Sequence, residues 1–177
     1  MKYVLPLLLS SGLVFGAFAQ DQAQSLPESE LVIVTDDAET TITVELADDP
    51  DELATGLMYR DGIAADRGML FDFGDPREAN MYMRNVSFGL DMLFLDEDGE
   101  VLAIAQHVQP YSERLINPGI PVKGVLELAA GQVKAFAIEP GDMVQHPMFN
   151  SDVSEDIIDL DVVEPESDTS DIDVTDE

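Results

Sequence analysis

The spacing of apolar positions changes several times along this chain, and each change marks an element. Leu31–Thr35, LVIVT, is a β-branched run. DDAE interrupts it, and Thr40–Ala47, TITVELA, resumes with alternation, so the pair predicts a hairpin. DDPDELATGLMYR then switches to a helical period. Asp49 is a good N-cap, Pro50 fits the first helical position, and Glu52 completes an Asp-x-x-Glu pattern. Leu53, Leu57 and Met58 fall on one face, which predicts a short helix of about three turns ending near Asp61–Gly62. From Gly68 the chain reads as strands again: GMLFDF, ANMYMR, DMLFLD, EVLAIAQHV, GVLELA and KAFAIE, with DEDG, AAGQ and EPGD as turns. The expected fold is mainly β. It is a small barrel-like or strongly curved sheet of about eight short strands, with one short helix after the second strand plugging it.

The ends of the chain differ from this middle. Lys2 precedes an apolar run from Val4 to Phe15, and Ala17–Ala19, AFA, is a small-x-small cleavage signal. Residues 1–19 are therefore expected to be a signal peptide, and the protein to be exported to the periplasm or secreted. The run is short for a membrane span, which takes about 20 residues. Residues 20–30 read as a mobile polar leader and 31–149 as a single β-rich domain. Residues 150–177 carry many Asp and Glu and no Lys or Arg, a composition that predicts an acidic disordered tail.

Composition narrows the function. There is no cysteine, so disulfides, thiol catalysis and Cys-ligated zinc are excluded. Acidic residues number 37 against 8 Lys and Arg, a formal charge of -29. Beyond residue 19 the only bases are Arg60, Arg67, Arg77, Arg84, Arg114, Lys123 and Lys134, and they form no run. Nucleic acid is thus a poor partner, because phosphate contacts are made chiefly by clustered Lys and Arg. No later segment is long and apolar enough to span a membrane. No glycine-rich phosphate loop or Gly-x-Ser-x-Gly elbow is present, and DEDGE departs from a calcium loop and reads as a hairpin turn.

Five stretches stand in a recognisable order: GLMYR (56–60), GMLFDF (68–73), MYMRNVSFGLDMLFLDEDGEV (81–101), VLELAAG (125–131) and GDMVQHPMF (141–149). In this order and at these separations they resemble the bacterial and archaeal domain-of-unknown-function family 192, over nearly all of residues 31–149. The family pattern in the central stretch is closer to Trp-Met-Lys-Asn-Thr followed by Pro-Leu-Asp. Here Tyr82, Arg84, Val86 and Gly89 replace the Trp, Lys, Thr and Pro, while Asn85 and Asp91 match. Val86 removes a hydroxyl, so no role resting on that hydroxyl transfers. The resemblance implies a compact, mainly β fold in exported proteins and implies no activity.

Within these stretches Arg60, Arg84, Asn85, Asp91 and Glu127 are polar groups flanked by apolar residues. A buried ion needs a partner and hydrogen bonds to offset a desolvation cost of several kcal/mol. One account is a structural pin: Asp91 or Glu127 accepts from Arg60 or Arg84, and Asn85 bonds to backbone. The other is a binding pocket in which an arginine holds an anionic ligand and Asp91 or Glu127 acts as acid or base. A separate constellation is thioether-rich. Met58, Met69, Met81 and Met83, with His146 and Met148 nearby in sequence, have the soft donors that suit Cu(I), although methionine is also an ordinary core filler. His107 reads as a strand-end residue and His146 as a surface one; Ser87 and Ser112 are the plausible hydroxyl nucleophiles. The reading is an exported, monomeric binding or envelope-accessory domain needing no cofactor, whose partner is a small molecule or an envelope protein. The alternatives are an enzyme using the Arg/Asp/Glu pocket and a periplasmic copper binder.

Overall fold

The computed structural model describes residues 22–149, so the expected signal peptide and acidic tail lie outside the described residues. Seven strands and two short helices follow in the order β1 (Glu28–Val34), β2 (Glu39–Ala47), α1 (Pro50–Thr55), β3 (Arg67–Glu78), β4 (Leu90–Leu95), β5 (Val101–Val108), β6 (Pro121–Ala129), α2 (Gln132–Ala135) and β7 (Met143–Gln145). The strands form one sheet in the order β5-β4-β6-β3-β2-β1-β7. All neighbours are antiparallel except β2 and β3, the pair that α1 connects.

The sheet curls until its ends approach each other. Glu100, just before β5, bridges to Met143 at the start of β7. Val101 N–H donates to the Asp142 carbonyl at 2.8 Å, and Val144 N–H to the Gly99 carbonyl at 2.8 Å. This closure needs a residue without a side chain at position 99, where φ is 90° and a Cβ would collide with the Val144 carbonyl oxygen. Asp96 shapes the same hairpin turn by accepting from Asp98 and Glu100 N–H.

Two apolar clusters follow from the curl. Leu31, Ile33 and Val144 from one end of the strand order pack with Leu93, Leu95 and Val101 from the other, so this cluster fills the concave side. Met69, Phe71, Met92, Phe94 and Val125 project from the opposite face and are covered by Leu57, Met58, Ala79, Met83 and Val86. Strands β3, β4 and β6 are therefore apolar on both faces. That is why LDMLFL is buried throughout, whereas β1 and β2 alternate.

The mainly β, strongly curved sheet agrees with the sequence, and five details do not. The structure has seven strands. Residues 79–84 are not a strand: β3 ends at Glu78, and Met81 makes only an isolated bridge with Ile116. The alternating Met81 and Met83 serve instead to lay a loop over the outer cluster. KAFAIE is not a strand either, because α2 begins at Gln132 and its Val133 enters the concave cluster. Helix α1 covers six residues and packs on the convex face, so the element plugging the curl is α2. Finally, β1 starts at Glu28, inside the expected leader, and residues before it are tied down. Gln24 Nε2 donates to the Glu52 and Gly56 carbonyls at the end of α1, both at 3.0 Å.

Candidate functional site

The candidate residues from the sequence separate into three groups. Arg60 is an anchor. Its Nη1 and Nη2 donate to the two Glu45 carboxylate oxygens at 2.6 and 2.8 Å, and Nη2 also donates to the Gln24 carbonyl at 2.8 Å. Glu45 Oε2 accepts from Leu26 N–H at 2.7 Å as well. The Arg60 guanidinium and these bonds hold the Glu45 carboxyl below its ordinary range. The pair fastens residues 24–26 to β2 and does not reach Asp91 or Glu127, as the pin account required.

Asp91 is also a pin, but to backbone. It is fully buried on β4. Oδ1 accepts from His107 N–H at 2.8 Å, and Oδ2 accepts from Gly131 N–H at 2.8 Å and Val133 N–H at 3.1 Å. Gly131, with φ at 96°, turns the chain so that these donors of the first turn of α2 point at the carboxylate. One side chain thereby joins β4, the bulged end of β5 and the helix that plugs the concave side.

Glu127 is different. It is 4% exposed, and its carboxyl forms no hydrogen bond or ion pair among the described residues. In the sheet it pairs with Met69 on β3 and Met92 on β4, which places it on the convex face, whereas Asp91 pairs with Leu128 on the concave one. Burial alone raises the carboxyl to about 8, so near pH 7 it is mostly a neutral acid with a hydrogen to donate. It faces a cavity of about 60 Å³ whose walls include Leu53, Leu57, Met58, Phe71, Met81 and Tyr82.

Two open grooves share walls with this cavity. One, of about 430 Å³, includes Phe73, Arg77, Glu78 and Met81. The other, of about 300 Å³, is lined by Gln22, Ala54, Thr55, Met58, Tyr59, Arg84 and Asn85. Arg84 and Asn85 are thus exposed rather than buried, and they stand across the Ala54–Thr55–Met58 wall from Glu127. Asn85 Nδ2 donates to Tyr59 Oη at 2.8 Å, and Arg84 Nη2 donates to Tyr82 Oη at 3.3 Å.

Of the thioethers, Met58 and Met81 line the Glu127 cavity, Met69 flanks Glu127 in the sheet, and Met83 is buried in the same cluster. Met148 packs against the other cluster. Among the described residues no three His, Cys, Asp or Glu side chains gather as a metal site. His146 is not at the surface. It is 7% exposed; its Nε2 lies 2.8 Å from Ser29 Oγ, and its Nδ1 accepts from Met148 N–H at 3.2 Å. Nδ1 therefore carries the lone pair and Nε2 the hydrogen, so His146 donates to Ser29 and is not poised as its base. Ser29, Glu45 and Tyr59 also hold candidate residues in place, and no sequence pattern singles them out. Ser29 and His146 are separated by 117 positions, which no local pattern spans. Glu45 occupies the solvent face of an alternating strand, where an acid is unremarkable.

Comparison with known proteins agrees with the motif order. No helix among the described residues is long and apolar enough to cross a membrane. No curated protein matches the chain. The fold is similar to that of a protein of Sinorhizobium meliloti 1021 proposed as a transcription regulator, with a TM-score of 0.67 and 42% identity over 69% of this chain and 95% of that one. It is also similar to a protein of unknown function from Novosphingobium aromaticivorans DSM 12444, with a TM-score of 0.66 and 31% identity over 68% of this chain and 86% of that one. A family model matches residues 32–146, and the chain belongs to that family, DUF192, described as "Uncharacterized ACR, COG1430".

Proposed function

We propose that this protein is an exported binding module whose site is the Glu127 cavity. The observation that carries the reading is a buried carboxyl, without a partner, facing an otherwise largely apolar cavity. A polar group removed from water without a hydrogen bond costs roughly 1–3 kcal/mol on mutational scales. A ligand that accepts a hydrogen bond from the neutral acid recovers that cost on binding. The cavity of about 60 Å³ exceeds the roughly 10–15 Å³ that one water needs and admits a small branch of a ligand. The N-terminal Lys2, the apolar run after it and Ala17–Ala19 support export, and with it an envelope setting.

Binding is favoured over catalysis because acid–base work uses a second group positioned against the first, and Glu127 is the one titratable carboxyl in the cavity wall. The regulator role proposed for the Sinorhizobium protein finds no support in this chain's charge. The bases at 60, 67 and 123 are already paired with carboxylates, and the surface is acidic. A second reading rests on Met69 and Met92 flanking Glu127 and on Met58 and Met81 lining its cavity: these thioethers with one carboxylate suit a soft cation.

Native mass spectrometry of the mature protein, purified gently from its own cell envelope, tests the proposal. The expected result is a bound small organic mass that Glu127→Gln diminishes. A bound copper ion would instead favour the thioether reading. A wild-type protein that retains nothing, and whose Met58 and Met81 methyl signals respond to no small polar-apolar probe, would overturn both.

A further inference from the structure

We infer that the groove formed by Tyr59, Arg84 and Asn85 is an anion subsite beside the Glu127 cavity, so that the molecule held at Glu127 is a small monocarboxylate carrying a second hydrogen-bond acceptor. The inference rests on the binding role of the Glu127 cavity and adds the chemical class of the ligand. Three observations meet here. First, Arg60, Arg67 and Lys123 are each committed to a carboxylate, whereas Arg84 has no ion pair among the described residues. Its guanidinium lies 5.0 Å from the Tyr82 ring centroid, and its hydrogen bond to Tyr82 Oη is long, at 3.3 Å. The stacking orients the planar fork without using up its donors. Arg77 in the other groove also lacks an ion pair, but Glu78 lines that groove beside it and opposes an anion.

Second, the hydroxyl of Tyr59 accepts from Asn85 Nδ2, which also lies 3.9 Å from Met58 Sδ. A phenol that accepts retains its own hydrogen to donate. The groove thus offers the guanidinium and the Tyr59 hydroxyl as donors, with Met58 as the wall shared with the Glu127 cavity. Third, Tyr59 and Asn85 both have left-handed backbone, with φ at 62° and 58°, and Tyr59 N–H donates to the Asn85 carbonyl at 2.9 Å. Two non-glycine residues held in the left-handed region, which a tyrosine rarely adopts, persist because their surroundings fix them. Here the fixing turns both side chains onto one groove. A single guanidinium within so acidic a molecule suits one negative charge better than the two of a phosphate monoester.

The test uses two probes that share a ketone and differ at the other end in charge. 4-Oxopentanoate has a carboxylate and a ketone; methyl 4-oxopentanoate has the ketone and a neutral ester in place of the carboxylate. Both are titrated at pH 6.5 into full-length mature protein carrying ¹³C-methyl methionine. Met58 reports on the shared wall and Met81 on the cavity. The expected result is that the carboxylate binds about tenfold more tightly than the ester, as one charge-assisted contact allows. Arg84→Gln should erase the difference, and Tyr59→Phe should halve it or more. Both residues are exposed, so neither change threatens the fold, and circular dichroism checks this. Equal affinity for the two probes, or a preference that survives Arg84→Gln, overturns the anion subsite and leaves the cavity reading standing. An Arg84-dependent preference with a silent Met81 and no effect of Glu127→Gln supports the subsite and removes the cavity. No response to either probe at millimolar concentration overturns both.

Discussion

Asp91 and Glu127 lie on neighbouring paired strands and are both buried, yet the sheet sends them to opposite faces. Asp91, on the concave side, accepts three backbone N–H groups and carries the order of β4, β5 and α2. Glu127, on the convex side, accepts nothing, and its carboxyl is pushed up to about 8. The same functional group therefore makes a structural joint in one environment and an unsatisfied site in the other. What separates them is the supply of donors. The first turn of a helix brings backbone N–H groups to Asp91, while Glu127 faces a cavity whose wall is mostly apolar and whose polar members, Thr55, Asn80 and Tyr82, make no hydrogen bond to it among the described residues. A buried acid is informative about binding only after its partners have been counted.

Substitution of each acid by its amide breaks the comparison in opposite directions. Asp91→Asn keeps the shape but turns one acceptor oxygen into a donor facing backbone donors. Equilibrium urea unfolding at pH 7 should show a loss of about 3–5 kcal/mol, the range for breaking a buried charged network. A loss under about 1 kcal/mol would remove Asp91 as the joint. Glu127→Gln should do the reverse at alkaline pH. The folded carboxyl is pushed up to about 8 from the ordinary 4.5, so the folded state binds more protons than the unfolded one between those values. The contribution of the neutral Glu127 carboxyl is full below pH 4.5 and falls as pH rises toward 8. Gln removes that slope, and at pH 8 the variant should be the more stable by roughly 4 kcal/mol, 3.5 pH units at about 1.4 kcal/mol each less the half-titration at pH 8. Parallel pH profiles for the two proteins would refute the unpartnered state of Glu127.

A smaller effect is expected where a partnered carboxylate is near the surface. Arg60→Met should cost about 2 kcal/mol, since Glu45 keeps the Leu26 amide but loses its counter-charge. Hydrogen exchange should show faster exchange at Leu26 and little change at Val133. Because Glu45 is held below its ordinary range, the pair's contribution is present above pH 4.5 and is lost as pH falls through the lower folded value. The variant should therefore lose part of the wild type's acid-induced destabilisation.

How much of this was legible in the sequence follows from the range of each interaction. Strands β1, β2, β4, β5 and β6 were readable because alternation and continuous apolar runs are local. So was α1, whose Asp49 side chain caps Asp51 and Glu52 N–H as its spacing predicts. ANMYMR and KAFAIE misled because local pattern was outvoted. Met81 and Met83 are buried by a loop folding over the outer cluster, and Lys134–Ala135 belong to a helix started by Gly131 and Asp91. Arg84, Asn85, Asp91 and Glu127 were all marked as polar groups in apolar company. Their roles could not be separated, because the partners of Asp91 lie 16, 40 and 42 residues away. Glu127 is marked out by having none, which no sequence pattern records.

His146 gives the smallest and most delicate test. Like Glu127 it is buried with a shifted ionisation, and like Asp91 it is fully partnered. Burial pushes the ring's folded value below the ordinary 6.5. The unfolded state then binds the proton first, so stability should fall as pH drops below 6.5 toward the folded value. Protonation also places a hydrogen on Nδ1, against the Met148 N–H that now donates to it. The segment carrying Phe149, which packs in the concave cluster and beside Gly99, should loosen first. His146→Gln, whose side chain titrates nowhere in this range, should flatten the profile there while leaving the alkaline fall due to Glu127 intact. The two slopes have opposite signs and overlap between pH 4.5 and 6.5, so the acid fall is read in the Glu127→Gln background, where the opposing slope is gone. If adding His146→Gln to that background leaves the profile below pH 6.5 unchanged, the His146 ring is protonated as readily in the folded chain as in water, and the C-terminal closure of the sheet does not depend on its neutral form.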